Sequence, residues 1–240
     1  MFSVDGPMAS EEWVALARES GDEEELAHSL VMLGTALTRT EETPDATIAA
    51  LDEAVRVARG AGIDTALTFG LGNLAIALPL EETERALALL DEAIEVATRI
   101  GDRQASSSAI SYRAALEARR GDWRAALRGG ADAAEEKLEL GDAVLMGWTL
   151  YWAGVALCAL GSCEPAAVIL GRADALTLER FGPRWMVESV AAMESALLDV
   201  LGERQLATLV AKGAALETTD AVAYLRAEAD RVLAAPAGGA

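Results

Sequence analysis

Hydrophobic residues recur along the chain at spacings of three and four, the pattern of an α-helix with one buried face. No stretch alternates between apolar and polar residues with a period of two, so the sequence predicts helices and no strands. The clearest predicted faces are Leu26, Leu30, Leu33 and Leu37; Ile48, Leu51, Val55 and Ala58; Leu67, Leu71, Leu74 and Leu78; and Leu87, Leu90, Ile94 and Ala97.

Glycines divide this pattern into short helices. Asp102, Asp122 and Asp142 each follow a glycine that can adopt a positive φ, and an aspartate in that position can cap the next helix and complement its positive end. We therefore expect a turn, followed by an aspartate cap, at each of these points. The predicted breaks are Gly60/Gly62, Gly101, Gly121, Gly141, Gly161, Gly182 and Gly202.

The pattern repeats about every 40 residues. The segment Leu51-Asp52-Glu53-Ala54 aligns with Leu90-Asp91-Glu92-Ala93, and each repeat reads as two helices. A single helical hairpin cannot bury its apolar face alone, so hairpins in series stack on one another. The sequence predicts an all-α fold, an α-solenoid of about five stacked antiparallel helix pairs. The small residue that marks each repeat is Ala54, Ala93, Ala133, Ala173 and Ala214, at separations of 39, 40, 40 and 41.

The repeat resembles the tetratricopeptide repeat. The fourth repeat matches that family best, with Ala153-Gly154, Leu157, Gly161, Ala166, Leu170 and Ala173 at the family spacings. The long unit, and the tail from Leu201 to Leu225, are similar to the carboxy-terminal regions of bacterial signal-transduction ATPases and LuxR-type or cyclase-linked regulators. The resemblance covers roughly residues 22 to 232 and implies a right-handed superhelix whose first helices line a concave groove. The ATPase phosphate-binding motif, the DNA-binding helix and the cyclase domain of those regulators are missing from this sequence.

These patterns predict one repeat domain over residues 11–234, preceded by a flexible tail or tag remnant at 1–10 and followed by a flexible tail at 235–240. Composition narrows the function further, because 39 acidic residues against 20 basic ones give a net charge of −19. No cluster of lysine and arginine is present, which argues against nucleic acid or an anionic membrane as a direct partner. The sequence has no apolar run of about 18 residues and no signal-peptide pattern at its start, so we expect a cytoplasmic protein.

The residues offer little for catalysis. His28 is the single histidine, and Cys158 and Cys163 favour two small buried residues over a disulfide or a metal site. Hydrolysis or group transfer needs an activated nucleophile, a metal cluster or paired acids in unequal environments. We therefore expect no enzymatic activity, no cofactor and no bound metal.

The resemblance implies a set of groove residues on the first helices. Trp148 and Tyr151 either anchor a partner in the groove or fill the core between repeats, and Trp152 and Trp185 are expected in the core. Arg39 and Arg119 either hold a carboxylate or form ordinary surface ion pairs. Val155, Ser189 and Ala192 project onto the same face. The candidate binding residues are His28, Arg39, Phe69, Asn73, Ser108, Ser111, Arg119, Trp148, Tyr151 and Cys158.

The leading functional hypothesis is an interaction or sensor module that binds a peptide or protein segment in this groove, as part of a bacterial signalling or transcription regulator. The alternative is a sensor domain for a small apolar or aromatic effector, whose binding changes the curvature of the solenoid.

Overall fold

The computed structural model describes residues 7–38, 44–142, 145–177 and 182–235, which form twelve α-helices and no strand. The prediction of an all-α fold is confirmed for this part of the chain. Consecutive helices pair as hairpins, as in an α-solenoid. The helices are α1 (Pro7–Ser20), α2 (Glu23–Leu37), α3 (Pro44–Ala61), α4 (Asp64–Ala77), α5 (Thr83–Ile100), α6 (Arg103–Arg119), α7 (Trp123–Leu140), α8 (Met146–Ala159), α9 (Cys163–Leu176), α10 (Arg184–Leu201), α11 (Glu203–Ala214) and α12 (Thr218–Ala234).

The turns form where the sequence places glycine. Gly101, with φ of 74°, ends α5, and the next helix is capped by Asp102, whose Oδ1 accepts a hydrogen bond from the Ala105 amide at 2.9 Å. Asp122 caps α7 in the same way through the Ala125 amide at 3.1 Å. Both predicted caps are confirmed, because an aspartate after a left-handed glycine can reach the first free amides of the next helix.

The third predicted cap is wrong. Helix α8 begins only at Met146, and Asp142 instead accepts a hydrogen bond from the ammonium of Lys137, with 2.9 Å between Nζ and Oδ2. Both side chains are buried. A buried ammonium needs a charged partner, and this demand takes precedence over capping.

Contacts divide the chain into two compact units. Unit 1 comprises residues 1–109 with 181–184, and unit 2 comprises residues 110–180 and 185–240. The sequence predicted a single repeat domain instead, because its repeat continues at the same spacing past residue 109. Helix α1 begins at Pro7, within the predicted tail 1–10, and of the predicted tail 235–240 only Ala235 is described.

Unit 1 contains α1 to α5, and each of α1 to α4 packs on the next helix. Leu30, Leu51, Leu71 and Leu90 from the predicted faces are buried. A Cβ on Gly34 would overlap the Leu51 side chain, so this glycine allows α2 and α3 to pack closely. Ion pairs then join the second helices of successive hairpins, Arg59 to Glu92 at 2.8 Å and Arg85 to Asp52 at 2.8 Å.

Unit 2 contains α7, α8 and α9 in sequence, with α11 packed on α9. The predicted fifth marker of the repeat, Ala214, is wrong by one residue. Ala214 is exposed, and its neighbour Gly213 is buried against the backbone of α9. The spacing from Ala173 to Gly213 restores the 40-residue period.

Helix α12 folds back instead of starting a sixth hairpin. It packs on α7 and also contacts α9, and it buries Val222, Leu225 and Val232. The Arg226 guanidinium bonds both Asp132 and Glu135 of α7, each at 2.7 Å, and these bonds raise the pKa of Arg226 above its ordinary value. Helix α12 therefore covers unit 2 on the side formed by its second helices, α7 and α9.

None of the helices in the described ranges combines the length and apolar character needed to span a bilayer.

Candidate functional site

A cavity of about 250 Å³ lies in unit 2 between the end of α6, the second half of α8 and the middle of α10. Successive first helices lie side by side in a repeat stack, so residues at equivalent positions converge. Five residues that the repeat spacing projects onto the first-helix face line this cavity. They are Arg119, Val155, Cys158, Ser189 and Ala192.

The remaining lining of the cavity is apolar and mixes very large with very small side chains. Trp123, Trp152 and Met193 supply broad walls, and short side chains between them leave the space. Such a concave apolar site with few polar groups is the usual form of a small-molecule pocket. The short side chains are Ala118, Ala159 and Ala196.

Three tryptophans stack beside the cavity. The Trp148 and Trp152 rings are 5.9 Å apart at 22°, and the Trp152 and Trp185 rings are 5.6 Å apart at 29°. The Arg119 guanidinium lies over the Trp185 ring, 4.6 Å from its centroid, which is a cation–π arrangement. The stack therefore holds the arginine at the cavity wall. Trp152 is buried in the core, as the sequence predicted.

The structure favours the core alternative for Trp148 and Tyr151. Trp148 is 5% exposed and Tyr151 is fully buried, with their rings edge to face at 5.4 Å. The Tyr151 hydroxyl donates a hydrogen bond to Asp174 of α9 at 2.6 Å. Tyr151 consequently ties α8 to α9, and neither side chain presents an accessible contact surface.

Cys158 lines the cavity with an uncharged thiol. Burial, together with the neighbouring Cys163 thiol, raises the pKa of Cys158 to about 11. Both cysteines are free thiols, and a protonated thiol is a weak nucleophile and a weak metal ligand. Among the described residues no group of histidine, cysteine and acidic side chains is placed to hold a metal ion.

Unit 1 presents a different surface on its first helices. Phe69 of α4 is 50% exposed, and Asn73, one turn later, is half-buried and donates a hydrogen bond to the Phe69 carbonyl at 2.9 Å. On α2, His28 is half-buried, with Nδ1 at 2.9 Å from the Glu24 carbonyl. Each polar side chain is thus satisfied by its own helix, and the aromatic ring of Phe69 is left at the surface.

The other predicted residues are scattered. Ser108 is half-buried and donates a hydrogen bond to the Gln104 carbonyl at 2.9 Å. Ser111 is buried and shares a hydrogen bond with Thr149 at 2.8 Å, so it joins α6 to α8 inside unit 2. Arg39 lies outside the described residues.

Sequence reasoning missed three residues. Met193 follows Ser189 by one helical turn, so extending the projected face by one turn would have found it. Trp123 begins a second helix, and the projection considered first helices only. Met32 is 47% exposed and follows His28 by one turn, so the same extension would have added it to the α2 face.

A series of antiparallel helix pairs with a period near 40 residues and small residues at the crossings defines a helical-repeat protein. The comparison with protein families agrees with this class. The family model described as Anaphase-promoting complex subunit 5 is similar to three overlapping stretches, residues 7–40, 29–78 and 69–120. Together they cover residues 7 to 120, just under half of the chain, and two of them begin 40 residues apart. No curated protein matches the chain significantly.

Proposed function

We propose that this helical-repeat protein is a non-enzymatic interaction module that binds a peptide or protein segment on its first helices. The observation that carries the proposal is Phe69, a large aromatic side chain left half exposed on α4. Isolated apolar side chains are common on protein surfaces. Here, however, Met32 is similarly exposed on α2, which packs against α4, and the two helices present His28 and Asn73 beside them.

This surface suits an extended or helical segment with an apolar anchor. Aromatic residues often contribute most of the binding energy at protein interfaces, especially where the polar groups around them are already hydrogen-bonded. The net charge of the chain is −19, so the electrostatic field favours a neutral or basic partner. The same field supports a role without direct nucleic acid or membrane contact.

The wider setting is also part of the proposal. The resemblance to bacterial signal-transduction ATPases and LuxR-type regulators supports a role for the module as a cytoplasmic sensor or scaffold arm of such a system. The matched family model is named for a subunit of a multiprotein complex, and that name supports an assembly role for this chain.

A peptide-display selection on the purified protein tests the interaction surface. Selected peptides should lose binding to Phe69→Ala and keep it for Leu80→Ala, a matched control because Leu80 is 51% exposed in the same unit. Removing an aromatic anchor costs roughly 2 kcal/mol or more, about thirtyfold in affinity. Equal affinity of the peptides for both variants and the wild type would reject this surface.

The cavity of unit 2 favours a second candidate function, the sensing of a small apolar or aromatic effector. A ligand between α6, α8 and α10 would change how these three helices pack. Native mass spectrometry of the purified protein should then detect a bound small molecule. Its loss in a cavity-filling variant would assign it to the cavity, and its retention there would assign it elsewhere.

A further inference from the structure

We propose that the cavity between α6, α8 and α10 binds a small carboxylic acid with one aromatic ring, whose carboxylate is held by Arg119. The ring would lie among Trp152, Val155 and Met193. This inference rests on the second candidate function and does not involve the surface around Phe69.

The size of the cavity sets the size of the ligand. Its volume is about 250 Å³, below the roughly 300 Å³ at which pockets for drug-sized molecules begin. An apolar protein cavity of about 150 Å³ is sufficient for benzene. The remaining space admits a short acid arm.

The charge of the lining selects an anion. Among the described residues that line the cavity, Arg119 alone carries a charge. A guanidinium presents five N–H donors in a planar fork, so a ligand carboxylate can bind alongside its existing partners. The Trp185 ring, 4.6 Å from the guanidinium carbon, fixes the orientation of that fork. Arg119 is half-buried at this wall, so water screens the resulting ion pair only in part.

The rest of the lining selects the uncharged part of the ligand. The Ser189 hydroxyl already donates to the Trp185 carbonyl at 2.7 Å, so it offers no proton to a ligand anion. The Cys158 thiol stays protonated and repels no carboxylate, since its pKa is raised to about 11. Indole walls and the Met193 thioether then favour an aromatic ring through edge, face and sulfur contacts.

The probe is 3-phenylpropionate, with 3-phenylpropionamide as its neutral analogue, measured on the full chain by saturation-transfer NMR and isothermal titration calorimetry. Arg119→Met should weaken the acid roughly tenfold or more, the loss of one charge-assisted hydrogen bond. Arg128→Met is the matched control, an exposed arginine on α7 outside the cavity lining. Ala192 is exposed at the open side of the cavity, so Ala192→Leu should also weaken binding by obstructing it. The control is Ala191→Leu, an exposed neighbour that does not line the cavity.

The outcomes separate the inference from the function on which it rests. Saturable binding of the acid, weak binding of the amide and loss of binding only in the two cavity variants would support the inference. Equal binding of acid and amide, still sensitive to Ala192→Leu, would overturn the acid preference and leave the effector function standing. No saturable binding of either probe would overturn the inference, and native mass spectrometry of the purified protein would then decide the effector function separately. If Arg119→Met does not fold, the alanine pair and the acid–amide comparison still decide.

Discussion

Gly213 of α11 lies directly against Val168 of α9, and the packing is too close for any side chain at that position. A Cβ on Gly213 would overlap the Val168 carbonyl, and in return a Cβ on Gly171 would overlap the Val210 carbonyl. The two helices therefore cross backbone to backbone. The fifth hairpin depends on this pair of glycines for its place in unit 2.

Gly213→Ala should consequently destabilise the protein. The backbone of α9 cannot move aside as a flexible side chain would, so the cost should be about 3 kcal/mol, at the upper end for overpacking. Urea denaturation, monitored by circular dichroism, measures this loss of stability. Gly60→Ala is the control, because a Cβ there meets nothing within 4 Å, and the better helix propensity of alanine should add roughly 0.5–1 kcal/mol. Equal effects of the two substitutions would contradict the close crossing.

The same crossing shows what the sequence could predict about the fold. The repeat period and the positions of the turns could be predicted, because a turn glycine and its capping aspartate, such as Gly101 and Asp102, are neighbours in the sequence. The choice between Gly213 and Ala214 was not readable, because it depends on how closely α9 approaches. The packing of α12 on α7 could not be predicted either. An apolar stripe such as Val222 and Leu225 shows which face of a helix is buried, but it does not show which helix covers that face.

The hydrogen bond from Tyr151 to Asp174 should stabilise the α8–α9 hairpin. Tyr151→Phe removes the donor, and a buried hydrogen bond to a charged group is worth about 2 kcal/mol. In an Asp174→Asn background the acceptor is neutral, and the same substitution should cost only about 1 kcal/mol. Thermal denaturation of the four proteins gives the cycle. An unchanged cost in the asparagine background would show that the carboxylate charge does not contribute.

The buried pair of Lys137 and Asp142 gives another prediction. Asp142→Asn removes the carboxylate that lies 2.9 Å from the fully buried Lys137 ammonium, and removing one member of such a pair costs about 3 kcal/mol or more. Adding Lys137→Met removes the stranded charge, so the double variant should be more stable than Asp142→Asn alone. Urea denaturation of the two variants distinguishes this from simple additivity, which would make the double variant the less stable one.

The candidate site was predictable to a similar extent. Arg119, Val155, Cys158, Ser189 and Ala192 were placed on one face by repeat spacing alone, and the structure brings them around one cavity. Their spacing could not reveal that the adjacent tryptophans are packed in a stack. Burial depends on contacts with other helices, and such contacts leave no periodic signal in one helix.

A final prediction concerns acid stability. Asp64 in the first turn of α4 accepts two hydrogen bonds from the Arg99 guanidinium of α5, at 2.7 and 2.9 Å. The hydrogen bonding from Arg99 lowers the pKa of Asp64 below its ordinary value of 3.8. A carboxylate whose pKa is lower in the folded state stabilises the fold fully above its unfolded pKa, and this stabilisation is lost as the pH falls through the folded pKa.

The wild type should therefore lose stability below about pH 4, and Asp64→Asn should flatten that part of the curve. Arg99→Gln should flatten it similarly, because the lowered pKa depends on the guanidinium, and the double variant should add little to either. The measurement is the free energy of urea unfolding at a series of pH values. If Asp64→Asn kept the wild-type slope in acid, the pair would not be a source of the pH dependence. A flattened slope in both single variants would assign it to this contact between α4 and α5.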